Sequence, residues 1–272
     1  MKIQYQRDDL IVFESALFRT TTSLIIGDTY VLLIDPNWLP IELDFIQKTV
    51  EEVGEGKEKY LLFTHSDYDH IIGYGQFKEY TTIASKNFIN NPSKENVLRD
   101  IAKFDDEYYV KRAYSVEYPR IDKIIAGEKE QWMLGLEQYT FFQATGHNAD
   151  GLFLYNHNKK LLIAGDYLSN VEFPYIYHSV QCYLDTLLKF ENLLKEETVS
   201  LLVAGHGDVT SDTAEMFTRI KDSQQYIKEL VESVTSDKDF EEAAWLEKYD
   251  FPIIMKQFHL KNIELATREF KA

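Results

Sequence analysis

The sequence predicts an α/β protein. Short apolar runs of the kind found in buried strands recur along the chain, and segments with helical spacing fall between them. No Ser/Gly-rich linker and no short repeat divides the chain, which favours one domain over residues 1–272.

The elements follow in order. Ser23-Leu24-Ile25-Ile26 and Tyr30-Val31-Leu32-Leu33-Ile34 flank a Gly27-Asp28 turn and read as a hairpin. Asp35-Pro36-Asn37 ends the second strand. Pro40 then opens a helix whose apolar residues Ile41, Phe45, Ile46, Val50 and Val53 keep helical spacing, and Gly54 and Gly56 stop it. Tyr60 to Thr64 is another buried strand. Residues 90–120 are polar and aromatic-rich, with Tyr108, Tyr109 and Tyr114, and read as an insertion over one face. Strands are predicted from Tyr139 to Ala144, Gly151 to Tyr155 and Lys160 to Ala164, the last two around the polar tip Asn156-His157-Asn158-Lys159. A helix from about Gln181 to Lys195 leads into the strand Ser200 to Ala204. Ser211 or Asp212 caps a long helix to about Val234, and the rest of the segment beyond 211 is helical.

Composition closes several classes. With 272 residues, 44% of them hydrophobic and 27% charged, the chain is globular rather than disordered. A single cysteine, Cys182, excludes an internal disulfide and a Cys-based zinc knuckle. The net charge of −16 argues against nucleic acid, whose binding rests on Lys and Arg at phosphates, and against anionic membranes. No run is long and apolar enough to span a bilayer, and MKIQYQRDDLIVFE lacks the apolar stretch of a signal peptide. The expectation is a cytoplasmic protein with a small-molecule substrate; a homodimer is left open.

The chemistry lies at the strand ends. Phe63-Thr64 runs into His65-Ser66-Asp67-Tyr68-Asp69-His70, Ala144-Thr145-Gly146 into His147, Ala164-Gly165 into Asp166, and Ala204-Gly205 into His206. In an open α/β sheet the carboxyl ends of strands face the ligand crevice, so these groups can converge. A lone histidine after a strand is most often a hydrogen-bonded structural residue. Four strand ends repeating the pattern overturn that reading, and three Asp with four His suffice for two cations. His157 and His259 stay structural, while His178, close after Asp166, is a weak substrate candidate.

These motifs resemble the metallo-β-lactamase superfamily. Its first motif is His-x-His-x-Asp-His, and here stands His65-x-Asp67-x-Asp69-His70; the Thr-Gly-His, Ala-Gly-Asp and Ala-Gly-His contexts match at His147, Asp166 and His206. Leu24 to Asp35 resembles the family's opening hairpin. The resemblance spans residues 20–210 and implies a four-layer αββα sandwich with a two-metal crevice. It implies that His65, Asp67 and His147 hold a first metal, that Asp69, His70 and His206 hold a second, and that Asp166 bridges. Asp67 departs from the family's usual histidine. That exchange favours harder ions, so Mn²⁺ or Fe stands beside the Zn²⁺ usual in the family.

The implied activity is hydrolysis of a small ester, lactone, thioester or phosphodiester, with Asp69 both ligand and proton acceptor. Tyr68, Tyr167 and Tyr175 are placed around the substrate. An alternative comes from flavodiiron proteins, which share the fold and carry a carboxylate at the Asp67 position: a stand-alone diiron protein that binds or reduces oxygen or nitric oxide.

Overall fold

The structure is a computed structural model that describes residues 1–236 and 238–271. Its first half forms a seven-stranded sheet in sequential order. The strands are β1 (Lys2–Arg7), β2 (Leu10–Glu14), β3 (Thr21–Ile26), β4 (Tyr30–Ile34), β5 (Glu58–Leu62), β6 (Thr81–Ser85) and β7 (Lys123–Ile125). β1 to β4 pair antiparallel and β4 to β7 parallel. The helices between them are α1 (Pro40–Val53), α2 (Tyr68–Ile71), α3 (Lys86–Ile89) and α4 (Lys94–Glu107). The second sheet holds β8 (Glu130–Leu134), β9 (Glu137–Gln143), β10 (Leu152–Asn156), β11 (Leu161–Ile163) and β12 (Leu201–Val203), in the order β12-β11-β10-β9-β8. α5 (Val180–Glu196), α6 (Thr213–Ser236), α7 (Glu242–Lys248) and α8 (Pro252–Phe270) complete the chain.

Side-chain alternation explains the layering. In β4, Tyr30, Leu32 and Ile34 enter the core between the sheets, while Val31 and Leu33 enter the core under α1. In β10, Leu152 and Leu154 face the inter-sheet core, and Phe153 and Tyr155 face α5. Because both faces of these strands are covered, they read in sequence as unbroken apolar runs. Each such side chain contributes roughly 1.5–3 kcal/mol on burial, which a strand with one wet face collects only at alternate positions. The result is the αββα sandwich.

Both sheets are larger than the sequence predicts. β1 and β2 at the start and β6, β7 and β8 in the middle lie outside the predicted strands. β8 (EQWML) has an exposed face and β7 is three residues long, so neither presents a buried-strand signature. The helix starts agree with simple capping. Glu42 Oε2 accepts from the Leu39 N–H at the start of α1, and Asp212 Oδ1 accepts from the Ala214 N–H at the start of α6. The segment 90–120 contains α4 and then lies over α2 and α3. Tyr114 Oη donates to the Ile72 carbonyl, Tyr118 Oη to the Phe88 carbonyl, and Arg112 Nη1 to the Trp38 carbonyl. Among the described residues no helix is long and apolar enough to cross a membrane.

Candidate metal centre

β5, β9, β11 and β12 end on one side of the sandwich, and the residues just beyond them meet there. His65, Asp67, His147 and Asp166 form one group of ligand atoms within 4.8 Å of one another, and Asp69, His70 and His206 form a second. Asp166 lies across both. Its Oδ2 is 3.5 Å from His65 Nε2, 3.4 Å from His147 Nε2 and 3.4 Å from His206 Nε2, and its Oδ1 is 3.0 Å from His70 Nε2. Asp67 Oδ2 stands 3.1 Å from His147 Nε2, and Asp69 Oδ2 stands 3.5 Å from both His70 Nε2 and His206 Nε2.

All four imidazoles turn Nε2 inward because Nδ1 is held from outside. His147 Nδ1–H donates to the Tyr175 carbonyl at 2.7 Å, and His206 Nδ1–H to the Phe18 carbonyl at 3.1 Å. His70 Nδ1 lies 3.0 Å from Asp35 Oδ2. Thr64 Oγ1 donates to Asp35 Oδ2 at 2.5 Å, which leaves its lone pair for His65 Nδ1–H at 2.9 Å. A proton fixed on Nδ1 leaves the Nε2 lone pair free for a cation, the usual outer arrangement around metal-ligating histidine. The residues therefore fit two cations. A second sign agrees: His65 Nε2, His70 Nε2 and Asp166 Oδ1 are buried without a well-formed hydrogen bond, although His70 Nε2 and Asp166 Oδ1 face each other at 3.0 Å. Buried polar atoms are costly when left unpaired, and a metal ion satisfies all three.

Backbone shape makes room. A Cβ on Gly205 would come within 2.2 Å of Asp166 Oδ1, so only glycine lets β12 pass behind that carboxylate. Gly146, at φ 129°, would carry its Cβ to 2.4 Å from the backbone of Tyr183. These contacts explain two of the Gly-His and Gly-Asp contexts seen in the sequence.

Electrostatics in the metal-free chain follow from the same geometry. Burial opposes charge on His147, but the hydrogen bond and attraction to Asp67 prevail and raise it to about 9. Burial likewise opposes charge on His206, yet Glu172 and Asp166 raise it to about 10. For Asp67, burial works upward, and His147 with His65 and Asn148 brings it down to about 2. Both histidines are thus protonated at pH 7 without metal and must lose that proton to ligate. Loading at pH 7 is expected to release roughly two protons per chain or more, measurable by calorimetry in buffers of different ionisation enthalpy. Release of fewer than one would contradict it. The sign for stability is also set. A histidine raised in the folded state stabilises fully below its unfolded value near 6.5. The metal-free protein should therefore lose stability as pH rises through about 9 to 10.

The substrate residues named from the sequence separate in space. Tyr68 and Tyr175 line a cavity of about 130 Å³ that opens onto the centre itself, with Asp67, Asp69, His147, Asp166 and His206 in its wall beside Trp38, Glu172 and Phe258. Tyr68 and Asp67 also border a larger, polar cleft of about 660 Å³. The exposed His178 lines that outer cleft, not the inner cavity. Tyr167 does not line the cavity: it is buried, its hydroxyl accepting from the His147 N–H at 3.0 Å and donating to the Thr145 carbonyl at 3.0 Å. It braces the loop that carries His147. Sequence reading passed over Asp35, Trp38 and Glu172. For Asp35 a signal existed, since it follows the apolar strand β4 just as Asp166 follows β11.

Comparison with known proteins agrees with this fold. Residues 16–214 match the metallo-beta-lactamase superfamily. Among solved structures, the fold is similar to a stereoselective inverting sec-alkylsulfatase from a Pseudomonas species, with a TM-score of 0.71 and 13% identity over 98% of this chain and 49% of that one. This chain thus spans about half the length of that enzyme. It is also similar to a metallo-beta-lactamase family protein from Thermus thermophilus (TM-score 0.64, 14% identity, 95% and 94% covered). A third is an archaeal superfamily protein from Sulfolobus tokodaii (TM-score 0.55, 16% identity, 98% and 99% covered). No curated protein sequence matches. With strand ends, ligand geometry and sequence match in agreement, the chain belongs to the metallo-beta-lactamase superfamily.

Proposed function

We propose that the protein is a dinuclear metal-dependent hydrolase of a small ester, lactone, thioester or phosphodiester. The observation that carries this reading is the pair of half-sites: four imidazoles with inward Nε2 atoms, sharing the Asp166 carboxylate. Two divalent cations, when bound, supply Lewis acidity and a water of lowered pKa.

The chain's own residues do the rest. Asp69 is buried, and burial with the nearby Asp166 and Asp67 raises its proton affinity against the pull of His70 and His206. A carboxylate so placed can orient an attacking water and hold its proton. Tyr68 packs edge-on against Trp38 with ring centroids 5.3 Å apart, and the two close one wall around the acyl or leaving group, keeping bulk water off it. The outer cleft offers Asn87, Asn91 and Asn148 to a polar portion of the substrate. No feature of the site among the described residues favours the diiron oxygen-reducing reading over hydrolysis, and it is not carried forward.

The test is turnover of p-nitrophenyl acetate, a lactone, a thioester and bis-p-nitrophenyl phosphate by protein reconstituted with Zn²⁺, Mn²⁺ or Fe²⁺. Metal-dependent turnover of at least one supports the reading; stoichiometric metal with no turnover of any of them overturns it. Metal choice turns on Asp67. Its Oδ1 accepts from Asn148 Nδ2 at 2.6 Å, so the carboxylate is oriented for His65 and His147. Asp67→His is expected to raise the preference for Zn²⁺ over Mn²⁺ at the first half-site about ten-fold, because imidazole suits zinc and the lost carboxylate suited manganese. Competitive loading followed by elemental analysis reads this directly, and an unchanged ratio would show that Asp67 is no ligand.

A further inference from the structure

The inner cavity has an unusual charge pattern. Its walls carry the rings of Phe18, Trp38, Phe173, Tyr175, Tyr177 and Phe258, and among the described residues no Lys or Arg lines it. Two of the basic groups near these residues are engaged elsewhere, and a third, Lys261, lies on the Tyr175 ring. Arg19 pairs with Glu14, Asp208 and Asp250, Arg112 grips Asp105 through two nitrogens, and Lys261 rests 5.5 Å from the Tyr175 ring centre without entering the lining.

The charged side chains of the wall, the histidines aside, are all acidic. Asp67, Asp69 and Asp166 face the imidazoles of the metal centre, but Glu172 does not belong to either ligand group. Its side chain is 15% exposed and makes no hydrogen bond among the described residues. The imidazole beside it is His206, whose Nδ1 is 3.9 Å away and gives its proton to the Phe18 carbonyl. Once His206 is neutral, as a metal ligand must be, Glu172 is a carboxylate among aromatic rings without a cation of its own, a receptor for a positive group: the rings offer cation–π contacts and the acid offers a counter-charge. Two divalent cations would be balanced by the three aspartates together with Glu172, which leaves no excess positive charge for an anionic substrate.

We infer that this cavity sorts substrates by charge, taking an apolar ester that carries an ammonium group ahead of a neutral one, and a neutral one ahead of one that carries a carboxylate. The inference rests on the hydrolase reading above.

The experiment uses the full chain loaded with metal and three acetate esters of similar size: acetylcholine, its uncharged isostere 3,3-dimethylbutyl acetate, and 4-acetoxybutanoate. Expected kcat/KM for acetylcholine is about 10-fold above the isostere and about 100-fold above the carboxylate ester. Calorimetry with choline and 3,3-dimethylbutanol gives a readout independent of turnover, and choline is expected to bind about 10-fold more tightly. Glu172→Gln should cut the choline advantage to about two-fold or less at wild-type metal content. Equal or better use of the carboxylate ester, or no choline advantage in the wild-type protein, overturns the inference, whatever the variant does. A choline advantage that survives in Glu172→Gln overturns the role of Glu172. If choline binds preferentially while no ester turns over, the hydrolase reading fails and charge sorting stands. Ester turnover without charge preference is the reverse.

Discussion

His147→Ala is expected to empty the first half-site and His206→Ala the second, each leaving the other metal in place. The two histidines approach the centre from different strands and different sides. His147 Nε2 is 3.1 Å from Asp67 Oδ2, and His206 Nε2 is 3.5 Å from Asp69 Oδ2. They share only Asp166. Removing an outer partner of a ligand already costs 10–100-fold in metal affinity or activity, so losing the ligand itself should cost at least ~10³-fold in kcat/KM. Elemental analysis after gentle purification, with activity on the best ester in parallel, checks both. Near-complete occupancy by two metals in both variants would falsify the ligand assignment. Loss of both metals from each single variant would show that the half-sites are not separable.

Asp35→Asn should weaken both half-sites at once, and the second more. Asp35 is buried and accepts three hydrogen bonds, from the Thr64 N–H at 2.8 Å, from Thr64 Oγ1 at 2.5 Å and from His70 Nδ1 at 3.0 Å. Through Thr64 it also sets the His65 ring. One carboxylate thus orients a histidine of each half-site. The asparagine amide keeps the volume and tolerates the left-handed backbone at Asp35, φ 49°, so the change isolates the carboxylate. Its Nδ2 cannot accept: at the Oδ2 position it removes the acceptor that Thr64 Oγ1 and His70 Nδ1 share, and at the Oδ1 position it removes that of the Thr64 N–H. The expected results are a 10–100-fold loss of affinity at the His70 half-site and about 1–3 kcal/mol lower stability of the metal-free chain. Chelator competition and urea unfolding read the two effects. Unchanged affinity with lowered stability would reduce Asp35 to a structural residue.

Much of the fold was legible because the central strands are covered on both faces. Val31 to Ile34, Leu61 to Phe63, Leu152 to Tyr155 and Leu201 to Val203 alternate between two cores, so each reads as an apolar run with no polar interruption. β1, β7 and β8 have open faces and mixed residues, and an edge strand is defined by the neighbour it pairs with more than by its own composition. β2 and β6 are largely buried yet lay outside the segments read as strands. The α6 start was legible from Asp212, because a cap is a contact between residues two or three apart.

The ligand types and their order were written in the sequence as His or Asp just past apolar strands, since a strand end is a local feature and chain order fixes which strand carries which residue. Proximity was not. That Asp166 lies across both histidine sets, that Asp35 ties His70 to Thr64, that Tyr167 braces the His147 loop instead of lining the cavity, and that Glu172 stands among aromatic rings all depend on packing between segments distant along the chain. Hydrogen bonds and cavity walls of this kind are set by how the two sheets and their helices stack, and no local pattern of residues encodes that distance.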